Sequence, residues 1–126
     1  MPDSKMKILT VDDFSTMRRI IKNLLRQLGY TNILEAEDGI SALAQLKQGK
    51  VDLVIADWNM PNMDGLELLK TMRNNQELKD IPVLMITAEG IKEKVIHAVK
   101  AGVNNYIVKP FTAETLKEKI DKIFTK

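Results

Sequence analysis

The chain contains no cysteine, which excludes a disulfide framework and a thiolate-ligated metal and fits a reducing compartment. It has a single histidine, His97, placed in a helical stretch away from any strand end, so a zinc or copper site built on imidazoles is implausible and His97 reads as a surface residue. No apolar run approaches the length of about 20 residues that spans a bilayer. The amino terminus, Met1 to Met6, is polar and too short for the apolar core of a signal peptide. Repeats and low-complexity stretches are absent. A formal charge of +2 is too small to imply nucleic-acid binding. The expectation is a cytoplasmic monomer that engages neither membrane nor nucleic acid.

What is present suits one ordinary domain. With 126 residues, 44% hydrophobic and 29% charged, the chain buries roughly two-thirds of its unfolded surface on folding. Links are short, so residues 1–126 are expected to form one domain with no linker and no output domain.

Apolar runs alternate with amphipathic stretches five times, the pattern of a parallel sheet covered by helices on both faces. Strands are expected at Lys7 to Val11, Ile33 to Ala36, Leu53 to Ala56, Val83 to Ile86 and Tyr106 to Val108. The first, third and fourth are the most continuously apolar and belong in the centre; the second carries Glu35 and the fifth is short, which suits edges. The first helix shows a stripe of Met17, Ile20, Ile21, Leu24, Leu25 and Leu28, stopped by Gly29. Helices two and four are expected near Ile40 to Lys47 and Ile91 to Ala101. The third opens with Asp64 as N-cap, Glu67 three positions on, and a staple of Met63 with Leu68. The fifth repeats that device with Thr112, and with Phe111 facing Leu116, then turns Ile120 and Ile123 inward.

Right-handed crossovers leave few topologies, of which a flavodoxin-like doubly wound sheet of order 2-1-3-4-5 sets the first and third strand ends side by side. Asp12 and Asp13 end the first strand, Asp57 the third, Thr87 the fourth and Lys109 the fifth. All five side chains would then meet at the carboxyl edge of the sheet. Three carboxylates so close would raise a pKa or draw in a cation, and oxygen ligands in this number suit Mg²⁺. Asp12, Asp13 and Asp57 give −3, which Mg²⁺ and Lys109 balance. An acyl phosphate on Asp57 would upset the balance and call in donors, the Thr87 hydroxyl and the Lys109 ammonium.

Asp12-Asp13, Asp57, Thr87-Ala88 and Lys109-Pro110, in this order and over this length, resemble the receiver domain of two-component response regulators. The runs Val11 to Arg19 and Asp57 to Gly65 are similar to those of its single-domain chemotaxis members. That family is itself a standing example of the 2-1-3-4-5 order, so the topology is recognised as well as argued. The resemblance implies that Asp57 is the phosphoacceptor, attacking the phosphohistidine of a sensor histidine kinase. It implies Mg²⁺ ligated by Asp13, Asp57 and the backbone carbonyl of Asn59, with Asp12 acting through a water. Thr87 and Lys109 would bind phosphoryl oxygens, Lys109-Pro110 would be cis, and Tyr106 would turn inward as Thr87 moves. Asn59 and Glu89 would tune hydrolysis of the phosphoryl group. The protein would promote its own phosphorylation without turning over a free substrate. The flagellar motor switch is the implied target, and a phosphatase a further partner. Gly90, where well-known enteric members carry alanine, implies a looser loop into the fourth helix.

From Lys92 to Lys126 there are eight lysines against four acids. That excess reads either as a solvated surface or as a docking face for an acidic partner, with Lys92, Tyr106, Lys119 and Lys122 upon it. One charge-assisted hydrogen bond contributes roughly 1.5 to 3 kcal/mol, whereas moving a population from 1:99 to 99:1 takes about 5.5 kcal/mol. Phosphorylation is therefore expected to shift the switch only in part, with a partner completing it.

Taken singly, the site residues allow simpler readings, with Asp12 and Asp13 as helix caps and Asp57 opening a turn. A haloacid-dehalogenase-like phosphatase would put its nucleophile after the first strand and a second acid two positions on, unlike the adjacent acids here. A flavodoxin-like FMN carrier would need a phosphate loop where this chain has acids that repel phosphate. A receiver with a target other than the motor remains open.

Overall fold

In the central strands every residue is buried yet alternate residues face opposite ways, so helices have to cover both sides of the sheet. The computed structural model describes residues 4–60, 62–87, 96–97 and 99–124 and has that arrangement. The strands are β1 (Ile8–Val11), β2 (Ile33–Ala36), β3 (Leu53–Asp57), β4 (Val83–Thr87) and β5 (Asn105–Val108). All pair in parallel, in the order β2-β1-β3-β4-β5. Four helices have defined bounds among the described residues: α1 (Ser15–Gln27), α2 (Gly39–Gln48), α3 (Gly65–Arg73) and α4 (Ala113–Phe124). The helix expected over Ile91 to Ala101 falls largely outside the described residues; Ile96, His97, Val99 and Lys100 within it are helical. The sequence-based strand positions hold to within one residue at each end.

Leu9, Val11, Val54, Ala56, Val83 and Met85 point to one face, where Ala42 and Leu46 of α2 and Leu68, Leu69 and Met72 of α3 meet them. Ile8, Leu53, Ile55, Leu84, Ile86 and Ile107 point to the other, against Ile21 and Leu25 of α1 and Leu116 and Ile120 of α4. Each large side chain so buried contributes about 1.5–3 kcal/mol relative to exposure. Two cores flank one sheet.

Helix starts follow local chemistry. Asp38 caps α2 by accepting from the Ser41 amide at 2.8 Å, in a reciprocal capping box. Asp64 caps α3 through the Glu67 amide at 2.9 Å, and Thr112 accepts from the Thr115 amide at 3.2 Å ahead of α4. α1 ends at Gly29, whose φ of 97° is open to glycine, with the Tyr30 amide returning to the Leu25 carbonyl. One residue of the expected α1 stripe is corrected: Ile20 is 46% exposed. The buried face is narrower than the periodicity implies, since Ile21 and Leu25 alone of the helix are fully buried and Met17, Leu24 and Leu28 flank them. His97 is exposed, as expected. No helix among the described residues is long and apolar enough to cross a membrane.

Candidate functional site

Register decides which side chains meet. Val11 of β1 pairs with Ala56 of β3, so Asp12 comes level with Asp57 one step further on. Asp12 still belongs to the ladder, its amide donating to the Ala36 carbonyl at 3.1 Å, before the chain turns toward α1. One carboxylate oxygen from each of Asp12, Asp13 and Asp57 lies within 4.8 Å of the others. The sheet therefore gathers the three acids that the sequence singled out.

Burial divides their environments. Asp12 is fully buried and Asp57 is 5% exposed, whereas Asp13 lies at the surface. Burial pushes the Asp12 carboxyl above its usual range, against a hydrogen bond from the Phe14 amide. It likewise raises Asp57, against the opposing charge of Lys109. Lys109 Nζ stands 3.3 Å from Asp57 Oδ1 and 3.9 Å from Asp12 Oδ2. The simple reading of Asp12 as a cap is half right, because its Oδ1 accepts from the Phe14 amide at 2.9 Å, but α1 itself has no side-chain cap.

A cation fits this donor set on one observation above all: Asp12 Oδ2 is buried and has no hydrogen-bond partner among the described residues. A buried anionic oxygen without a donor is costly, and a divalent ion or its bound water would satisfy it. The ligands are all oxygens, with no cysteine available and the one histidine elsewhere, which is the chemistry of Mg²⁺ rather than of zinc.

The remaining positions surround the acids. Thr87 ends β4, buried, and its carbonyl accepts from the Lys109 amide at 2.8 Å, which ties the two residues together. The Lys109-Pro110 peptide is cis, as the resemblance implied. Asn59 is exposed and lines a surface groove with Asp13, Phe14, Met60 and Asp64. Gly65 packs so tightly that an added Cβ would fall 2.5 Å from the Asp57 carbonyl oxygen. Tyr106 is half-buried, packed at the margin of the α2/α3-side core, with Lys119 Nζ 5.3 Å from its ring centre. Lys122 is ion-paired with Glu118 at 3.4 Å and lies well exposed. Ala88, Glu89, Gly90 and Lys92 lie outside the described residues.

Three neighbours escaped the sequence reading. Phe14 is 66% exposed beside the groove, an aromatic that only the turn after β1 explains. Arg18 donates to the Asp12 carbonyl, and Glu35 accepts from Arg18 Nε at 3.1 Å. Their signal was confined to opposite charges on elements far apart in the chain.

Known proteins agree with this geometry. The model of the response regulator receiver domain matches residues 8–121. The chain is 65% identical over 122 residues to chemotaxis protein CheY-3 of Vibrio cholerae, covering 97% of this chain and 94% of that protein. It is 61% identical over 119 residues to the chemotaxis protein CheY of Pseudomonas aeruginosa, covering 94% and 96%. The structure of Vibrio cholerae CheY4 superposes with a TM-score of 0.87 at 35% identity, over 95% of this chain and 99% of that one. A receiver domain of a Pseudomonas aeruginosa sensor histidine kinase, described with a magnesium ion coordinated in its active site cleft, superposes at 0.85 with 26% identity, over 96% and 99%. A sheet of order 2-1-3-4-5 with its acids, threonine and lysine at one edge, matched along nearly its whole length, makes this chain a member of the response regulator receiver domain family, similar throughout to the chemotaxis CheY proteins.

Proposed function

We propose that the protein is a phosphorylation-dependent switch whose phosphoacceptor is Asp57, acting in chemotaxis signalling in the cytoplasm. The observation that carries this reading is the approach of Lys109 Nζ to within 3.3 Å of Asp57 Oδ1 inside a cluster of three carboxylates. An Asp57 oxygen attacks the phosphorus of a phosphohistidine on a sensor histidine kinase. The new O–P bond replaces the N–P bond, and the departing imidazole takes up a proton. Asp13, Asp57 and the Asn59 carbonyl would hold Mg²⁺, with Asp12 reaching it through a water. When bound, that ion supplies charge neutralisation for the transferring phosphoryl oxygens. Lys109 and Thr87 bind those oxygens, and Asn59 with Glu89 governs the access of water to them.

The readout is the face carrying Tyr106, Lys119 and Lys122, to which the sequence adds Lys92 from outside the described residues. Its support is the exposed apolar surface of Ile96, Val99 and Val108 together with the lysines that follow. A face both apolar and basic suits a partner segment that is apolar and acidic. The flagellar motor switch is the target proposed, in keeping with the chemotaxis relatives, with a phosphatase as a further partner. Because a single new hydrogen bond falls short of the roughly 5.5 kcal/mol needed for full switching, target and phosphoryl group favour one another reciprocally.

Transfer of label from a phosphorylated histidine kinase, with and without Mg²⁺, tests this reading. One phosphoryl group per chain, dependent on Mg²⁺, is expected. Repeated turnover of a free phosphate ester would instead favour a phosphatase. A target peptide that binds equally well with and without a phosphoryl mimic would remove the switch.

A further inference from the structure

Arg18 projects from the start of α1 and makes two polar contacts of different kinds. Its Nη1 donates to the Asp12 carbonyl oxygen, and its Nε donates to Glu35 Oε1 at 3.1 Å. The side chain is only 17% exposed. Glu35, on edge strand β2, is itself steadied: Lys22 Nζ lies 3.5 Å from its other carboxylate oxygen, and the Gln45 side-chain Nε2 donates to its backbone carbonyl. A planar fork holding two acceptors at once is geometry that arginine supplies and lysine does not.

The carbonyl it holds is the one at which β1 leaves the sheet. Asp12 is fixed through its amide to Ala36, through its Oδ1 to Phe14, and through its carbonyl to Arg18. The peptide linking Asp12 to Asp13 is thereby clamped. Asp13 is the exposed member of the acid cluster, so the aim of its carboxylate rests on the backbone that carries it.

We propose that Arg18, pinned by Glu35, is a positioning residue for the ion site: it fixes the Asp12–Asp13 peptide so that the Asp13 carboxylate faces those of Asp12 and Asp57. The inference rests on the reading of the cluster as a Mg²⁺ site. A competing role, in which the guanidinium acts only as a nearby positive charge, gives the opposite sign. Deleting a cation beside an anionic cluster deepens its negative potential and tightens Mg²⁺ binding. Deleting a clamp weakens it. Residues that orient metal ligands typically alter affinity 10- to 100-fold, and Arg18 acts through a peptide rather than on a carboxylate, so about tenfold is expected.

Mg²⁺ affinity of the full chain, read by the emission of Trp58 and by equilibrium dialysis, separates these outcomes when urea unfolding is measured alongside. Arg18→Met is expected to weaken Mg²⁺ about tenfold, and so is the charge-balanced Arg18→Met/Glu35→Gln. Arg18→Lys, which keeps the charge and loses the fork, is expected to recover only part of the loss. Glu35→Gln alone removes an anion and so weakens binding on either account, by about threefold; Arg18→Lys, which the charge-only role leaves unchanged, carries the test if Arg18→Met does not fold. Unchanged or tighter Mg²⁺ binding in Arg18→Met, or full recovery in Arg18→Lys, overturns the positioning role. A wild-type chain that takes up no Mg²⁺ in dialysis overturns the reading of the cluster and this inference with it; uptake equal in wild type and variants overturns the inference alone.

Discussion

Without a bound cation the acid cluster works against folding, and replacing Asp57 by asparagine should stabilise the metal-free protein. The ligand atoms of the three acids lie within 4.8 Å of one another, so at an effective dielectric near 20 each pair repels by about 3.5 kcal/mol. Asp57 enters two such pairs. Against them stands Lys109 at 3.3 Å, an attraction of about 5 kcal/mol on the same scale. Solvent screening of exposed Asp13 cuts its share, so the direct charges roughly cancel and the cost of burying the Asp57 charge decides the sign. Burial is the leading cause of the raised Asp57 pKa, ahead of the opposing Lys109 charge and the hydrogen bond from the Trp58 amide. Urea unfolding in EDTA at pH 7 is expected to show Asp57→Asn more stable by about 1–3 kcal/mol, or about 1 M in midpoint. Because the folded pKa lies above the ordinary 3.8, the folded wild type binds the proton more tightly than the unfolded chain. Acidification through that raised pKa toward 3.8 therefore relieves the wild type, and the advantage of asparagine should shrink across that window. Added Mg²⁺ should stabilise the wild type more than the variant. Equal or lower stability of metal-free Asp57→Asn at neutral pH would refute the electrostatic reasoning.

Other positions give independent checks. Asp38→Ala removes the α2 cap and should cost about 1 kcal/mol in urea unfolding at pH 7. The Asp38 pKa is lowered chiefly by the Ser41 amide, so its contribution is present above 3.8 and fades as pH falls through that value toward the folded pKa. Gly65→Ala drives a Cβ against the Asp57 carbonyl oxygen and Met85 Sδ and should destabilise by about 1–3 kcal/mol while weakening Mg²⁺ binding, measured by thermal unfolding and Trp58 emission. Ile20→Ser should cost no more than about 1 kcal/mol, far less than a change at buried Ile21, since Ile20 is already 46% exposed.

Much of this architecture is legible in the sequence because its strands are short, mostly apolar and separated by amphipathic helices. Strand ends were one residue short at Asp57 and Thr87, since a polar side chain that still pairs in the ladder looks like the start of a loop. The doubled acid at the end of β1 was visible, but not which of the two would be buried; the ladder bond from the Asp12 amide to Ala36 decides that. Caps at Asp64 and Thr112 were legible from local spacing alone. Arg18 and Glu35 were not, because their pairing exists only once α1 lies across β2. Ile20 misled for a related reason, as periodicity marks a face without fixing its width.

On the proposed function, the pocket of acids at the carboxyl edge of the sheet takes a phosphoryl group onto Asp57 with the help of Mg²⁺. Incubation with acetyl phosphate and Mg²⁺, followed by intact mass and peptide mapping, measures it directly. One added phosphoryl group on Asp57, lost in EDTA and absent from Asp57→Asn, is the expected result. A wild-type chain that remains unlabelled, or is labelled elsewhere, would contradict it.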